Sequence, residues 1–164
     1  MVDDTVVDLD VRSAIRTRAI GLLARREHSR AELQDKLQRR DYPPRQVVEV
    51  LTALQHEGLV NDRRFAEQFV HARQQRGQGV QRIRRELRER GVDGELIEQA
   101  LAGTMGQDWM AQLRAVQRKR FGRLPQDARE RARQARFLYY RGYTAEQVNR
   151  LFRMQDDDGW NGEQ

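Results

Sequence analysis

Cysteine is absent from this chain, which excludes a disulfide framework and the usual zinc patterns. No apolar run approaches the roughly 18 residues of a membrane span, so no membrane association is expected. The segment Met1 to Asp10 is acidic and lacks a basic region followed by an apolar stretch; a secretory signal is not expected, and a cytoplasmic location is. A glycine-rich phosphate loop is missing too, because Gly77-Gln78-Gly79 has neither the preceding strand nor the Lys that a P-loop needs. The three histidines, His28, His56 and His71, are isolated, and no pair has metal-ligand spacing. No catalytic residue, metal ligand or cofactor is therefore assigned, and an enzyme is not expected. Hydrophobic residues make up only 38% of the chain, which suits several small cores better than one deep one.

Lysine is also scarce. Lys36 and Lys119 are the only two, so nearly all positive charge is Arg, the residue suited to bidentate phosphate or carboxylate contacts. The formal net charge of +6 understates how basic the middle is: residues 1–11 and 154–164 each carry four acids and no Lys or Arg, and leaving both out raises the net charge to +14. The run Asp156 to Asp158 reads as a solvated tail rather than a cation site.

What is present is a repeat. Leu37-Gln38-Arg39-Arg40-Asp41-Tyr42-Pro43, Leu87-Arg88-Glu89-Arg90-Gly91-Val92-Asp93 and Leu138-Tyr139-Tyr140-Arg141-Gly142-Tyr143-Thr144 align without a gap. Ten residues after each leading Leu stands Val47, Ile97 or Val148, and four further on Leu51, Leu101 or Phe152. A spacing of about fifty residues is that of a small helical unit used three times. The predicted fold is all-α: three tandem three-helix, helix-turn-helix-like modules in an elongated array, at 12–61, 62–102 and 103–153, between acidic tails 1–11 and 154–164.

Within the modules the helical spacing of apolar residues places the elements. Val11, Ile15, Ala19, Leu22 and Leu23 mark the first helix, and Ser29 with Glu32 forms a capping box for the second. Pro43 and Pro44 suit the start of the third, whose apolar face is Val47, Val48, Leu51 and Leu54 before Gly58 ends it. Asp62, Asp93 and Thr144 are expected caps for later helices. Asp127 to Arg141 forms a helix lined by Ala128, Ala132, Ala135 and Tyr139. The third module is expected to begin near Asp108.

The same helix has a second face. Steps of 100° bring Arg129, Arg133, Arg136 and Tyr140 onto one ridge in the most basic module, which is net +8 against +4 and +2 for the other two. Such a ridge can follow a phosphate backbone or an acidic groove. With Arg114 and Arg118 of the preceding helix, and Arg82, Arg85 and Arg88 of the second module, these are the candidate partner- or nucleic-acid-binding residues. A merely solvated face is the competing reading. The repeated Arg40, Arg90 and Arg141 read as structural cations at helix C-termini.

Several stretches resemble the RecX family of bacterial regulators of the RecA recombinase. They are Arg26-Glu27-His28-Ser29-Arg30-Ala31-Glu32-Leu33, Gly58 through Ala66, Val70-His71-Ala72-Arg73, Gly77-Gln78-Gly79, Arg82 through Gly91, and Phe137 through Tyr143. The likeness covers roughly residues 12 to 153. Two departures stand out: Val80 where the family often has proline, and Arg40-Asp41-Tyr42 where it usually has Arg-Gly-Tyr. The resemblance implies a non-enzymatic modulator that binds the RecA nucleoprotein filament and limits filament growth, ATP hydrolysis, strand exchange and co-protease activity. A monomer is expected, with direct DNA contact as a further possibility. The competing class is a helix-turn-helix protein acting through DNA alone.

Overall fold

The computed structural model describes residues 4–104 and 109–158, with side chains for 8–104 and 109–153. The described residues form nine α-helices and no strand: α1 Asp4–Leu23, α2 Arg30–Gln38, α3 Pro44–His56, α4 Asp62–Gln75, α5 Val80–Glu89, α6 Gly94–Ala102, α7 Trp109–Phe121, α8 Ala128–Arg141 and α9 Ala145–Asp158. They gather into two compact units, Met1–Gln68 with Leu87–Ala100, and Phe69–Glu86 with Leu101–Gln164.

In the first unit α1, α2 and α3 enclose Ile15, Ala19, Leu33, Leu37, Val47, Val50, Leu51, Leu54 and Val60. Each fully buried aliphatic side chain contributes about 1.5–3 kcal/mol. The expected apolar face of α3 is corrected at one position. Val48 is 39% exposed and Val50 is buried instead, because steps of three and four residues from Val47 and Leu54 select 50 and 51. Helix α1 starts at Asp4, so most of the acidic segment 1–11 is helical, and Asp8 pairs with Arg12 at 2.8 Å.

The start of α2 is tied by three hydrogen bonds. Ser29 Oγ accepts from the Glu32 N–H at 3.1 Å and donates to the Arg90 carbonyl at 2.7 Å, while the Glu32 carboxylate accepts from the Ser29 N–H. The capping box is therefore real, and its hydroxyl also reaches the repeated turn at the end of α5. Asp62 does not cap α4 as expected. Asn61 does, accepting from the Arg64 N–H at 3.0 Å, and Asp62 accepts from the Arg30 N–H at 2.7 Å. The physical reason is that Asp62 lies in the first turn, where its carboxylate favours another helix's orphan donor.

In the second unit α7, α8 and α9 enclose Leu113, Leu138, Tyr143, Val148, Leu151 and Phe152. Thr144 caps α9 as expected, accepting from the Gln147 N–H at 3.1 Å, with the Gln147 side chain accepting back from the Thr144 N–H at 2.9 Å. The alanine lining of α8 is corrected in part. Ala135 packs against the core, but Ala128 and Ala132 are exposed, Tyr139 is 44% exposed, and the helix buries Gln134 and Leu138 beside it. Alanine contributes little either way, so a pair of glutamines settles the rotation: Gln117 Nε2 donates to Gln134 Oε1 at 2.9 Å, and both amides donate to the Arg123 carbonyl, at 2.6 and 3.1 Å.

The second unit repeats the junction of the first. The Gly79 N–H donates to the Arg141 carbonyl at 2.8 Å and the Gln81 N–H to the Gly142 carbonyl at 3.0 Å. Orphan donors at the start of one helix thus satisfy orphan acceptors at the end of another. Backbones come so close here that a Cβ on Gly79 would lie 2.4 Å from the Gly142 carbonyl carbon.

Candidate partner-binding surface

Helix α8 carries the predicted ridge. Arg129, Arg133 and Arg136 are all exposed and Tyr140 is 73% exposed, so the four share an open face. Their rotation follows from the inward commitment of Gln134 and Leu138, which leaves these positions outward. Arg133 lies over the Phe121 ring at 5.8 Å. Arg129 and Arg136, and Arg118 on α7, make no ion pair with any described residue and are exposed.

Arg82 joins this face from α5: its guanidinium sits over the Tyr140 ring at 5.4 Å. It is not an open charge, however. Its Nε contacts Glu86 Oε1 at 2.9 Å, and Glu86 Oε2 also pairs with Arg73 Nε at 2.9 Å, with the Glu86 side chain only 12% exposed. The Glu86 hydrogen bond, then Tyr140, holds the Arg82 proton more tightly than usual. Arg85 and Arg88 are exposed on α5, and Arg114 is half-buried on α7. The second unit thus brings together Arg82, Tyr140 and the α8 arginines; Arg88 lies on the part of α5 that belongs to the first unit.

The repeated arginines differ from one another. Arg141 donates to the Arg76 carbonyl at 3.2 Å and covers Phe137 at 5.4 Å. Arg90 lies 3.5 Å from Glu32, and Arg40 is exposed. The structural reading suits Arg90 and Arg141 through these contacts.

A cleft of about 660 Å³ lies between the end of α4, the middle of α7 and the last turns of α8. Arg76, Lys119, Arg120 and Arg141 line it with Phe137, and no carboxylate does. Sequence reasoning missed this site. Its cations come from the turn after α4, from α7 and from α8, far apart in sequence, so no local spacing groups them. Among the described residues there is no group of three His, Asp or Glu that could hold a metal ion, and no helix is long and apolar enough to cross a membrane. His28 is buried, with Nδ1 3.0 Å from the Arg26 carbonyl; burial, then Arg26, lowers its pKa.

Three family models match the chain in order. They are the first three-helix domain of RecX over residues 16–54, the second over 61–101 and the third over 107–152. The regulatory protein RecX of Halorhodospira halophila is 50% identical over 150 residues, covering 91% of this chain and 92% of that protein. The one from Ectopseudomonas mendocina is 49% identical over 150 residues, covering 91% of this chain and 99% of its own length. Among solved structures, the crystal structure of RecX from Lactobacillus salivarius superposes with a TM-score of 0.78 at 20% identity, covering 90% of this chain and 98% of that one. That likeness bears on the fold, which is all-helical and built of three three-helix domains.

Proposed function

This chain belongs to the RecX family of regulatory proteins, and on that premise we propose that it regulates RecA by binding RecA–DNA filaments and limiting their growth. Restraint of ATP hydrolysis, strand exchange and co-protease activity follows from fewer or shorter filaments. The observation that carries this reading is the ordered match of three RecX domains across residues 16–152. A whole set of modules, rather than one helix-turn-helix unit, is what a partner with a repeating surface would engage. The exposed α8 ridge with Arg82 and Tyr140 supplies a basic, aromatic-tipped face for a phosphate backbone or an acidic protein groove. In this reading the protein acts as a monomer, without a cofactor.

The test is DNA-dependent ATP hydrolysis by preformed filaments of the cognate RecA. Amounts of this protein well below the RecA concentration are expected to reduce hydrolysis. Loss of activity only in proportion to DNA titrated away would instead point to a DNA-binding protein acting through DNA alone. Salt-titrated DNA binding by the isolated protein separates the two further.

A further inference from the structure

We propose that the acidic segment 156–163 docks in cis on the arginines at the start of α8 and covers the Arg129 end of the ridge. The docking is independent of the RecA reading; its consequence for partner binding rests on that reading.

Two charge clusters sit at the unfavourable ends of their own helices. A helix carries partial positive charge at its N-terminus and partial negative charge at its C-terminus. Helix α9 ends on Asp156, Asp157 and Asp158 and has no base in its last turn, so its own dipole repels these carboxylates. Helix α8 begins at Ala128, so Arg129 and Arg131 lie in its first turn, where the dipole repels cations. Each cluster offsets the other's repulsion when the two meet. The nearby acids of α8 are already engaged. Asp127 accepts from the Glu130 N–H at 2.7 Å, and Glu130 takes both arms of Arg123 at 2.8 and 2.7 Å. Arg129 and Arg131 are exposed and make no ion pair with any described residue.

The fold brings the two clusters close. Arg131 lies over the Phe152 ring at 5.0 Å, and Asp156 follows Phe152 by one helical turn. Arg129 stands about 200° round α8 from Arg131. The stretch from Asp158 to Glu163 spans at most about 17 Å, more than the roughly 10–12 Å diameter of a helix, so Glu163 reaches that far side. Arg153 stands four residues before Asp157, a spacing that serves one aspartate and leaves the others. A bound cation would meet the aspartates but add to the repulsion among the arginines. The tail of another copy has no Phe152 contact to hold it in place.

Thermal melts of the whole protein without RecA test this, because docking and solvation predict opposite signs. Changing Asp156, Asp157 and Asp158 together to Asn relieves the dipole repulsion of a solvated tail and would raise the melting temperature. For a docked tail the same change is expected to lower it by about 2–4 °C. Arg129→Gln with Arg131→Gln should lower it too, and the combined variant should fall less than the sum of the two shifts, since the groups act on each other. Should Arg131→Gln unfold the protein through loss of its Phe152 contact, Arg129→Gln alone carries the cycle. The shifts should be the same across a tenfold dilution. Elution from heparin reads the cover over the ridge. The Asp156–Asp158 variant should elute at clearly higher salt than a variant with Asp3, Asp4 and Asp10 changed to Asn, which has the same net charge. A raised or unchanged melt, additive shifts, shifts that vanish on dilution, or equal elution of the two variants would overturn the proposal. None of these outcomes bears on RecA regulation, which the filament assay tests by itself.

Discussion

At the left-handed position of the repeated turn, φ is +60° at Asp41, +69° at Gly91 and +97° at Gly142. All three residues take a left-handed φ, and the turns differ beyond it: the Val92 and Tyr143 N–H groups donate to the Leu87 and Leu138 carbonyls at 3.2 and 3.1 Å, whereas the first turn is closed by the Arg40 and Asp41 N–H groups on the Leu37 and Gln38 carbonyls. Crowding differs too. A Cβ on Gly91 would lie 2.5 Å from the Ala31 Cβ, and one on Gly142 would lie 2.4 Å from the Arg82 Cβ. Asp41 is exposed and its side chain has room. Gly91→Ala and Gly142→Ala are each expected to cost about 2–4 kcal/mol, from left-handed strain plus overlap. Asp41→Gly should be neutral to about 1 kcal/mol stabilising, since relief of left-handed strain is offset in part by the freedom glycine adds to the unfolded chain. Urea unfolding of the three variants checks the opposite signs. At His28 the lowered pKa also has a consequence. Between the depressed folded value and the ordinary 6.5, the unfolded chain binds the proton and the folded chain does not. Stability from this group is therefore complete above about 6.5 and is lost as pH falls through that window. Unfolding free energies from pH 8 down to 5 should fall more steeply for the parent than for His28→Asn, and parallel profiles would refute the assignment.

Among helices, the buried amides of α7 and α8 do what apolar contacts do elsewhere. Gln117 and Gln134 are 4% and 2% exposed, and together they hold the Arg123 carbonyl of the connecting loop. Arg123 in turn forks onto Glu130 at 2.8 and 2.7 Å, and the Gln126 N–H, then Arg123, keeps the Glu130 carboxyl below its usual range. Gln117→Leu strips Gln134 Oε1 of its donor and should cost about 1–3 kcal/mol. Gln134→Leu leaves Gln117 its bond to Arg123, so it should cost less. The double Leu variant should cost less than the sum of the two, with a coupling of about 1 kcal/mol; additive losses in thermal or urea melts would show that the amides act separately. The capping box of α9 is an independent check on element energetics, since Thr144→Ala should cost about 1 kcal/mol.

For the whole protein, the consequence to test is partner binding by the α8 ridge. Replacing Arg129, Arg133 and Arg136 together with Ala should weaken binding of RecA–DNA filaments and flatten its salt dependence, because the three are open and act from one face. Each lost phosphate contact lowers the slope of log affinity against log salt by roughly 0.7 on single strands and 0.9 on duplex DNA. Helicity should survive, as Ala is a good helix former, and a thermal melt detects any loss of Arg stems over apolar surface. Unchanged inhibition and an unchanged slope in the folded variant would mean a solvated face. Arg82 is then a poorer next target than Arg88, which is exposed, because Glu86 already neutralises Arg82.

The all-helical class, the threefold repeat and the residues that fill it were determined by sequence alone. Leu37, Leu87 and Leu138 are fully buried, as are Val47, Ile97 and Val148, because apolar periodicity and turn chemistry act over a few residues and are legible locally. The outward ridge of α8 was readable for the same reason. Tertiary structure decided which of two adjacent faces of α8 turned inward. Alanines are nearly indifferent to burial, and only a partner amide on α7 makes burying Gln134 tolerable. It also decided that Asn61 rather than Asp62 caps α4, since the α2 N-terminus claims Asp62. The basic cleft could not be read at all beforehand, because its cations meet only once the end of α4, α7 and α8 are packed together.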